Sequence, residues 1–203
     1  MIAIIDYGVG NLFSLKCSFE SIGADICVTS DPDVIAKADR IILPGVGAFE
    51  DAAKKLRNSG LDAVIKKECA NGKPLLGICL GMQLLFERSF EYGEHEGLGL
   101  IKGCIRPISD VIDADLKIPH IGWNALHFGE KKDELFKYLN EGDFVYFVHS
   151  YYGADCAESV IATTEYSAIL TAAVRNKNVC GVQFHPEKSE KVGLSILKAF
   201  CEI

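Results

Sequence analysis

The stretch LLGICLGMQLL, residues 75–85, decides the fold. Leu75, Leu76 and Ile78 form a short apolar run of the kind that is covered on both faces, and Leu80, Leu84 and Leu85 then return at helical spacing. The stretch reads as strand, sharp turn and helix, with Cys79 at the turn. Gly77 and Gly81 leave room for the strand and helix to approach each other, and a side chain on such a bend is presented to a substrate, as serine is in GxSxG elbows. A helix start also favours a thiolate, because its unpaired N–H groups and its dipole stabilise negative charge. The backbone N–H of Leu80 is then available to an oxyanion. Read alone, GxCxG describes a packed cysteine between turn glycines equally well, so a catalytic reading needs a base from elsewhere.

Working outward, similar apolar runs at Ile2–Ile5 and Ile41–Leu43 alternate with helix faces. Leu12, Leu15, Phe19 and Ile22 form one face, Phe49, Ala52, Ala53 and Leu56 a second, and Leu61, Val64, Ile65 and Cys69 a third. This alternation predicts an α/β fold with a mostly parallel sheet flanked by helices, and ligands gather where such strands end. From Cys104 onward the texture changes. Segments near 105–109, 118–126, 143–148, 158–164, 169–174 and 179–184 are β-rich and closely spaced, predicting antiparallel additions. Val192, Ile196, Ala199 and Phe200 mark a closing helix.

Composition narrows the classes. The chain has 203 residues, 49% of them hydrophobic, and at roughly 150 residues per domain that predicts one domain, 1–203. No apolar run approaches the roughly 20 residues that span a bilayer, and no basic leader precedes the first strand, so the expectation is a soluble cytoplasmic protein without membrane association. A net charge of -7, with no clustered Lys or Arg, argues against nucleic acid as a partner. The eight cysteines show no CxxC pair and no zinc spacing, so no metal or cofactor is expected, and most cysteines read as reduced core residues. DYGVGN at 6–11 offers GxG, but Phe13 stands where a dinucleotide fingerprint needs its third glycine, leaving a tight turn as the reading.

The base comes from GVQFHPE, 181–187, where an apolar strand runs into His185, Pro186 and Glu187. In an extended segment residues i and i+2 share a face about 6.6 Å apart, so Glu187 can orient the imidazole. His95, His120, His127 and His149 lack that arrangement, although Glu94 and Glu96 flank His95. With Cys79 and His185 each at the end of a strand, a Cys79–His185–Glu187 triad is the economical reading.

Together with these residues, PGVGAF at 44–49, GLGLI at 97–101, PHIGWN at 119–124, FVHSYY at 147–152 and GVQFHPEKS at 181–189 carry a resemblance along the whole chain. The sequence resembles the class I, triad-type glutamine amidotransferases, with their flavodoxin-like fold. DYGVGN, PHIGWN and HPEKS in combination resemble, within that group, the glutaminase subunits of imidazole glycerol phosphate synthases. The resemblance implies that Cys79 attacks the carboxamide of L-glutamine, that His185 moves the protons, and that Glu187 holds His185 in its useful tautomer. It also implies oxyanion donors at Leu80 and near Val46 and Gly47, although a plain Pro-Gly turn explains that loop as well.

The positions matching the family's substrate contacts are Gln83, Glu91 and the Ser150–Tyr151 backbone. For Glu91, a solvated carboxylate beside Glu87, Glu94 and Glu96 is an equal reading. By resemblance the ammonia acceptor is a separate (β/α)8 cyclase subunit in a heterodimer, faced by Asn11, Ile121, Trp123, Tyr146 and Lys188. Core packing is the competing reading for Trp123. Two other function classes stand beside this one. A paralogous glutaminase would feed a different synthase, such as one amidating a surface sugar, and a non-amidotransferase relative would be a cysteine hydrolase or an inactive binding subunit.

Overall fold

The unbroken apolar runs become strands with both faces covered. In the computed structural model, which describes residues 1–203, the chain runs β1 (Ile2–Ile5), α1 (Leu12–Ser21), β2 (Ile26–Thr29), α2 (Pro32–Lys37), β3 (Arg40–Leu43), α3 (Phe49–Asn58), α4 (Leu61–Ala70), β4 (Leu75–Ile78) and α5 (Leu80–Leu84). It continues through β5 (Phe86–Ser89), β6 (His95–Glu96), β7 (Ile101–Pro107), β8 (His120–Ala125), β9 (His127–Phe128), β10 (Phe144–His149), β11 (Tyr151–Ala154), β12 (Val160–Tyr166), β13 (Ala168–Asn176), β14 (Val179–Val182) and α6 (Glu190–Cys201).

Alternation within each parallel strand divides the core in two. Ala3 and Ile5, Ile41 and Leu43, and Leu75 pack with the apolar faces of α2, α3 and α4. Ile2 and Ile4, Ile42, and Leu76 and Ile78 pack on the opposite side with Leu15 and Phe19 of α1 and Ile196, Leu197 and Phe200 of α6. Each buried Leu, Ile or Phe contributes about 1.5–3 kcal/mol. The three expected helix faces are therefore the buried faces of α1, α3 and α4. Asn11 caps α1 by accepting from Ser14 N–H, and Asp31 with Pro32 starts α2, a helix the apolar periodicity did not mark.

The main sheet has the order β2-β1-β3-β4-β14-β13-β12-β9. Its β2-to-β14 half is parallel, and the pairs from β14 to β9 are antiparallel. The expected antiparallel texture thus holds apart from two parallel pairings, β7 with β5 outside the main sheet and β14 with β4 within it. β14 lies parallel to β4, in register from Val179↔Leu75 to Val182↔Ile78, which brings two strand ends side by side. A second sheet, β11-β7-β5-β6, and a β8–β10 ribbon complete the C-terminal half. No helix is long and apolar enough to cross a membrane.

Candidate active site

Four loops converge at the carboxyl ends of the parallel strands, where this architecture collects ligands. They follow β1, β3, β4 and β14. After β4 the backbone turns at Cys79 with φ 54° and ψ -112°, a conformation costly for any residue with a Cβ. The elbow closes so tightly that a Cβ on Gly77 would lie 2.7 Å from Gly81 O, and one on Gly81 only 1.9 Å from Leu43 O. Cys79 N–H donates to Val182 O at 2.8 Å, locking the elbow to β14. Cys79 gives α5 no side-chain cap, so the first N–H groups of the helix, Leu80 included, are left without one.

His185 lies three residues beyond β14. Its Nδ1 donates to Glu187 Oε1 at 2.8 Å, and both side chains are almost fully buried. The contact arises differently from the extended spacing expected. Pro186–Lys188 form a 3-10 turn, and Glu187 reaches back from that turn to the ring. Pro186, with fixed φ and no N–H, suits the first position of such a turn. The His185 backbone N–H donates to Tyr146 O at 2.9 Å, while Ser189 Oγ donates to His185 O and accepts from Tyr146 N–H. With Nδ1 committed to the carboxylate, Nε2 is left for the Cys79 sulfur. Burial lowers the imidazole's proton affinity, but hydrogen bonds to Cys79 and Glu187 and their charges outweigh it, raising His185 to about 10.

Cys79, Leu80, Gln83 and His185 line one cavity of about 480 Å³, together with Glu91, Ser150, Tyr151, Val46 and Gly47. Glu187 sits behind His185. Gln83 is buried and donates through Nε2 to Tyr151 O (3.3 Å) and Gln183 Oε1 (3.0 Å). Glu91 is half-buried rather than solvated. Its Oε2 accepts from Phe49 N–H at 2.5 Å, supplying the cap that Ala48 does not give α3. Burial raises the Glu91 carboxyl, against the lowering effect of the Phe49 hydrogen bond. The Ser150 carbonyl already accepts from Ile108 N–H, and that of Tyr151 from Gln83 and His149.

Three contributors escaped the sequence reading. Tyr7 is buried in the 6–11 loop and donates its hydroxyl to Pro44 O at 2.8 Å, pinning the start of the Val46–Gly47 loop. Gln183 places Nε2 3.8 Å from Cys79 Sγ. His149 lines the cavity, donates from Nδ1 to Tyr151 O at 2.8 Å, and meets His120 Nδ1 at 2.9 Å. Burial pushes His149 down to about 4 and also lowers His120, whose ring stacks on Phe147 and Tyr166. Only Gln183 carried a usable signal, being two residues before His185 in an extended segment.

On the outer rim, Ile121 and Trp123 are 57% and 44% exposed, which removes Trp123 from the core. Trp123 meets Tyr146 edge-on with ring centroids 5.8 Å apart, and Lys188 Nζ lies 5.7 Å over the Tyr146 ring. Asn11 is exposed, and its side chain is the α1 cap.

An elbow cysteine beside a His–Glu pair at adjacent parallel strand ends is the arrangement of a triad amidotransferase, and the family model for class I glutamine amidotransferases matches residues 3–202. The chain belongs to that family. Curated relatives narrow the likeness. "Imidazole glycerol phosphate synthase subunit HisH" of Aquifex aeolicus is 49% identical, covering 97% of this chain and 94% of the relative. The same-named protein of Oceanobacillus iheyensis is 47% identical over 100% and 99%, and that of Bacillus cereus 50% identical over 98% and 93%. Among solved structures, a glutamine amidotransferase covers 99% of this chain and 100% of its own with a TM-score of 0.76 at 19% identity. The Thermotoga maritima PurLQS structure gives 0.72 at 20%, covering 99% and 97%. At those identities the likeness is one of fold.

Proposed function

We propose that this chain, as one domain over 1–203, is the glutaminase subunit of an imidazole glycerol phosphate synthase of histidine biosynthesis, working in the cytoplasm. The observation that carries the chemistry is the Cys79 elbow facing the His185–Glu187 pair across one cavity. Relatives of that name at 47–50% identity over nearly the whole chain support the choice of synthase.

In the proposed reaction the Cys79 thiol gives its proton to His185 Nε2, and the sulfur electron pair attacks the carboxamide carbon of glutamine. The tetrahedral oxyanion faces Leu80 N–H and an N–H of the Val46–Gly47 loop. Each such donor is worth about 2.7–4 kcal/mol. Collapse breaks the C–N bond as His185 returns the proton to nitrogen, releasing ammonia. Water then gives a proton to His185 and attacks the thioester. The C–S bond breaks, the sulfur regains its proton, and glutamate leaves. Glu187 keeps the His185 tautomer correct throughout. Glu91 receives the substrate ammonium, while Gln83 and the Ser150–Tyr151 backbone hold the rest of the amino-acid end.

Ammonia exposed to neutral water is protonated and no longer nucleophilic, so it passes directly to a (β/α)8 cyclase subunit docked in a heterodimer. Ile121, Trp123, Tyr146, Lys188 and Asn11 form the proposed docking rim. Tryptophan and tyrosine side chains such as Trp123 and Tyr146 dominate many interfaces. The cyclase then yields imidazole glycerol phosphate and aminoimidazole carboxamide ribonucleotide. The test measures glutamate release from glutamine with and without the cyclase and its nucleotide. Stimulated release is expected, and no glutamate with both present would sink the proposal. Cys79→Ala is expected to abolish glutamine-dependent turnover and spare ammonia-dependent turnover.

A further inference from the structure

Gln183 is fully buried just past β14, and both side-chain contacts it makes are with members of the cavity. Its orientation follows from donors and acceptors. The Tyr151 carbonyl can only accept, so the end of the Gln83 amide lying 3.3 Å from it is the NH2 group. The second hydrogen of that Gln83 Nε2 goes to the Gln183 amide at 3.0 Å, so Gln183 must offer its oxygen there. The Gln183 Nε2 then points at Cys79 Sγ, 3.8 Å away, and Gln83 Oε1 is the free end of the relay. Both hydrogen-bond partners of this amide are side chains that line the cavity, and its one donor contact is to the elbow sulfur.

We propose that Gln183 donates to the Cys79 sulfur whenever that sulfur is negatively charged. This rests on the glutaminase reading above. The charge appears twice. It forms when the S–H bond breaks, leaving its electron pair on sulfur while the proton goes to His185. It forms again when the C–S bond of the thioester breaks and its electron pair returns to sulfur as the acyl carbon becomes a carboxylate. A thiol sulfur accepts weakly and an anionic acceptor strongly, so the same contact strengthens as charge develops.

The test uses the complex with the cyclase subunit and Gln183→Met, which keeps the side-chain length and loses the donor. The first readout is the pH profile of Cys79 alkylation by iodoacetamide, followed by the mass of the peptide containing Cys79 because Cys17 is exposed. Alkylation at neutral pH is expected to slow about tenfold and its profile to move to higher pH. Glutamine-dependent kcat falls by a similar factor, KM rises less, and ammonia-dependent turnover stays as in the wild type. A folded Gln183→Met complex with the wild-type alkylation profile would overturn the proposal. If that variant does not fold, the side-chain amide resonances of Gln183 in the wild-type protein decide the matter. They are expected to move over the same pH range as alkylation, and a flat response overturns the proposal. Alkylation needs no glutamine, so failure here is distinct from a wild type that makes no glutamate.

Discussion

Gly81→Ala tests how the elbow works, because the new methyl group would meet backbone. Its Cβ would sit 1.9 Å from Leu43 O, about 1.5 Å closer than ordinary contact allows. Leu43 cannot yield. It is fully buried at the end of β3, a strand paired on both sides by β1 and β4. The five-residue α5 must move instead, carrying Leu80 N–H and the Cys79 sulfur with it. A misplacement of about 1 Å at reacting atoms costs roughly 10²-fold in rate, and overpacking costs about 1–3 kcal/mol of stability. In the complex with the cyclase subunit, glutamine-dependent turnover is expected to fall at least about 10²-fold. Ammonia-dependent turnover should persist, and Tm should drop by several degrees. A variant with wild-type Tm and glutamine turnover within a few-fold of wild type would refute the reasoning.

Other perturbations separate the remaining roles. His149 is held at about 4, below its ordinary value of 6.5, so the folded state resists its protonation. Its contribution is complete above about pH 6.5 and is lost as pH falls toward 4, by up to about 3 kcal/mol. Thermal melts of His149→Gln should show a flatter acid limb than the wild type, and equal slopes would contradict this. His185 behaves oppositely. Raised to about 10, it stabilises the fold fully below pH 6.5 and loses that contribution as pH rises through 10. Glu187→Gln should flatten this alkaline limb and reduce glutamine-dependent kcat at least about 10²-fold, as disruption of triad tautomers does elsewhere. Glu91→Gln keeps an acceptor for Phe49 N–H and loses the charge, so KM for glutamine should rise about tenfold with little change in Tm. Glu91→Ala should also lose about 1 kcal/mol of stability with the α3 cap. Equal KM values for the wild type and Glu91→Gln would remove Glu91 from substrate binding.

The parallel half of the fold was legible because Ile2–Ile5, Ile41–Leu43 and Leu75–Ile78 are buried on both faces, and continuous apolar runs need no knowledge of their partners. The helix after Cys79 was legible only at its start. It ends at Leu84, because Phe86–Ser89 turns into a strand of the second sheet. That strand pairs parallel with β7, 15 residues later in chain register at Phe86↔Ile101, a long-range choice no local period encodes. The His185–Glu187 contact was legible in their spacing, although it is made through the turn at Pro186 and not in the extended geometry expected. Glu91 could not be assigned from its acidic neighbours, since its partner is a backbone N–H 42 positions away. Trp123 presented the same difficulty. A large apolar residue on a β-rich segment does not disclose which face of a ribbon meets solvent.

The backbone at Cys79 has an evolutionary consequence. At φ 54° and ψ -112° every side chain carries strain of about 1–3 kcal/mol, and glycine alone is free of it. A cysteine there therefore carries a standing thermodynamic cost, which the chemistry proposed for it would offset. In a lineage released from making its own ammonia, this position should drift toward glycine rather than alanine or serine, and the resulting inactive protein should melt higher than its Cys79→Ala counterpart.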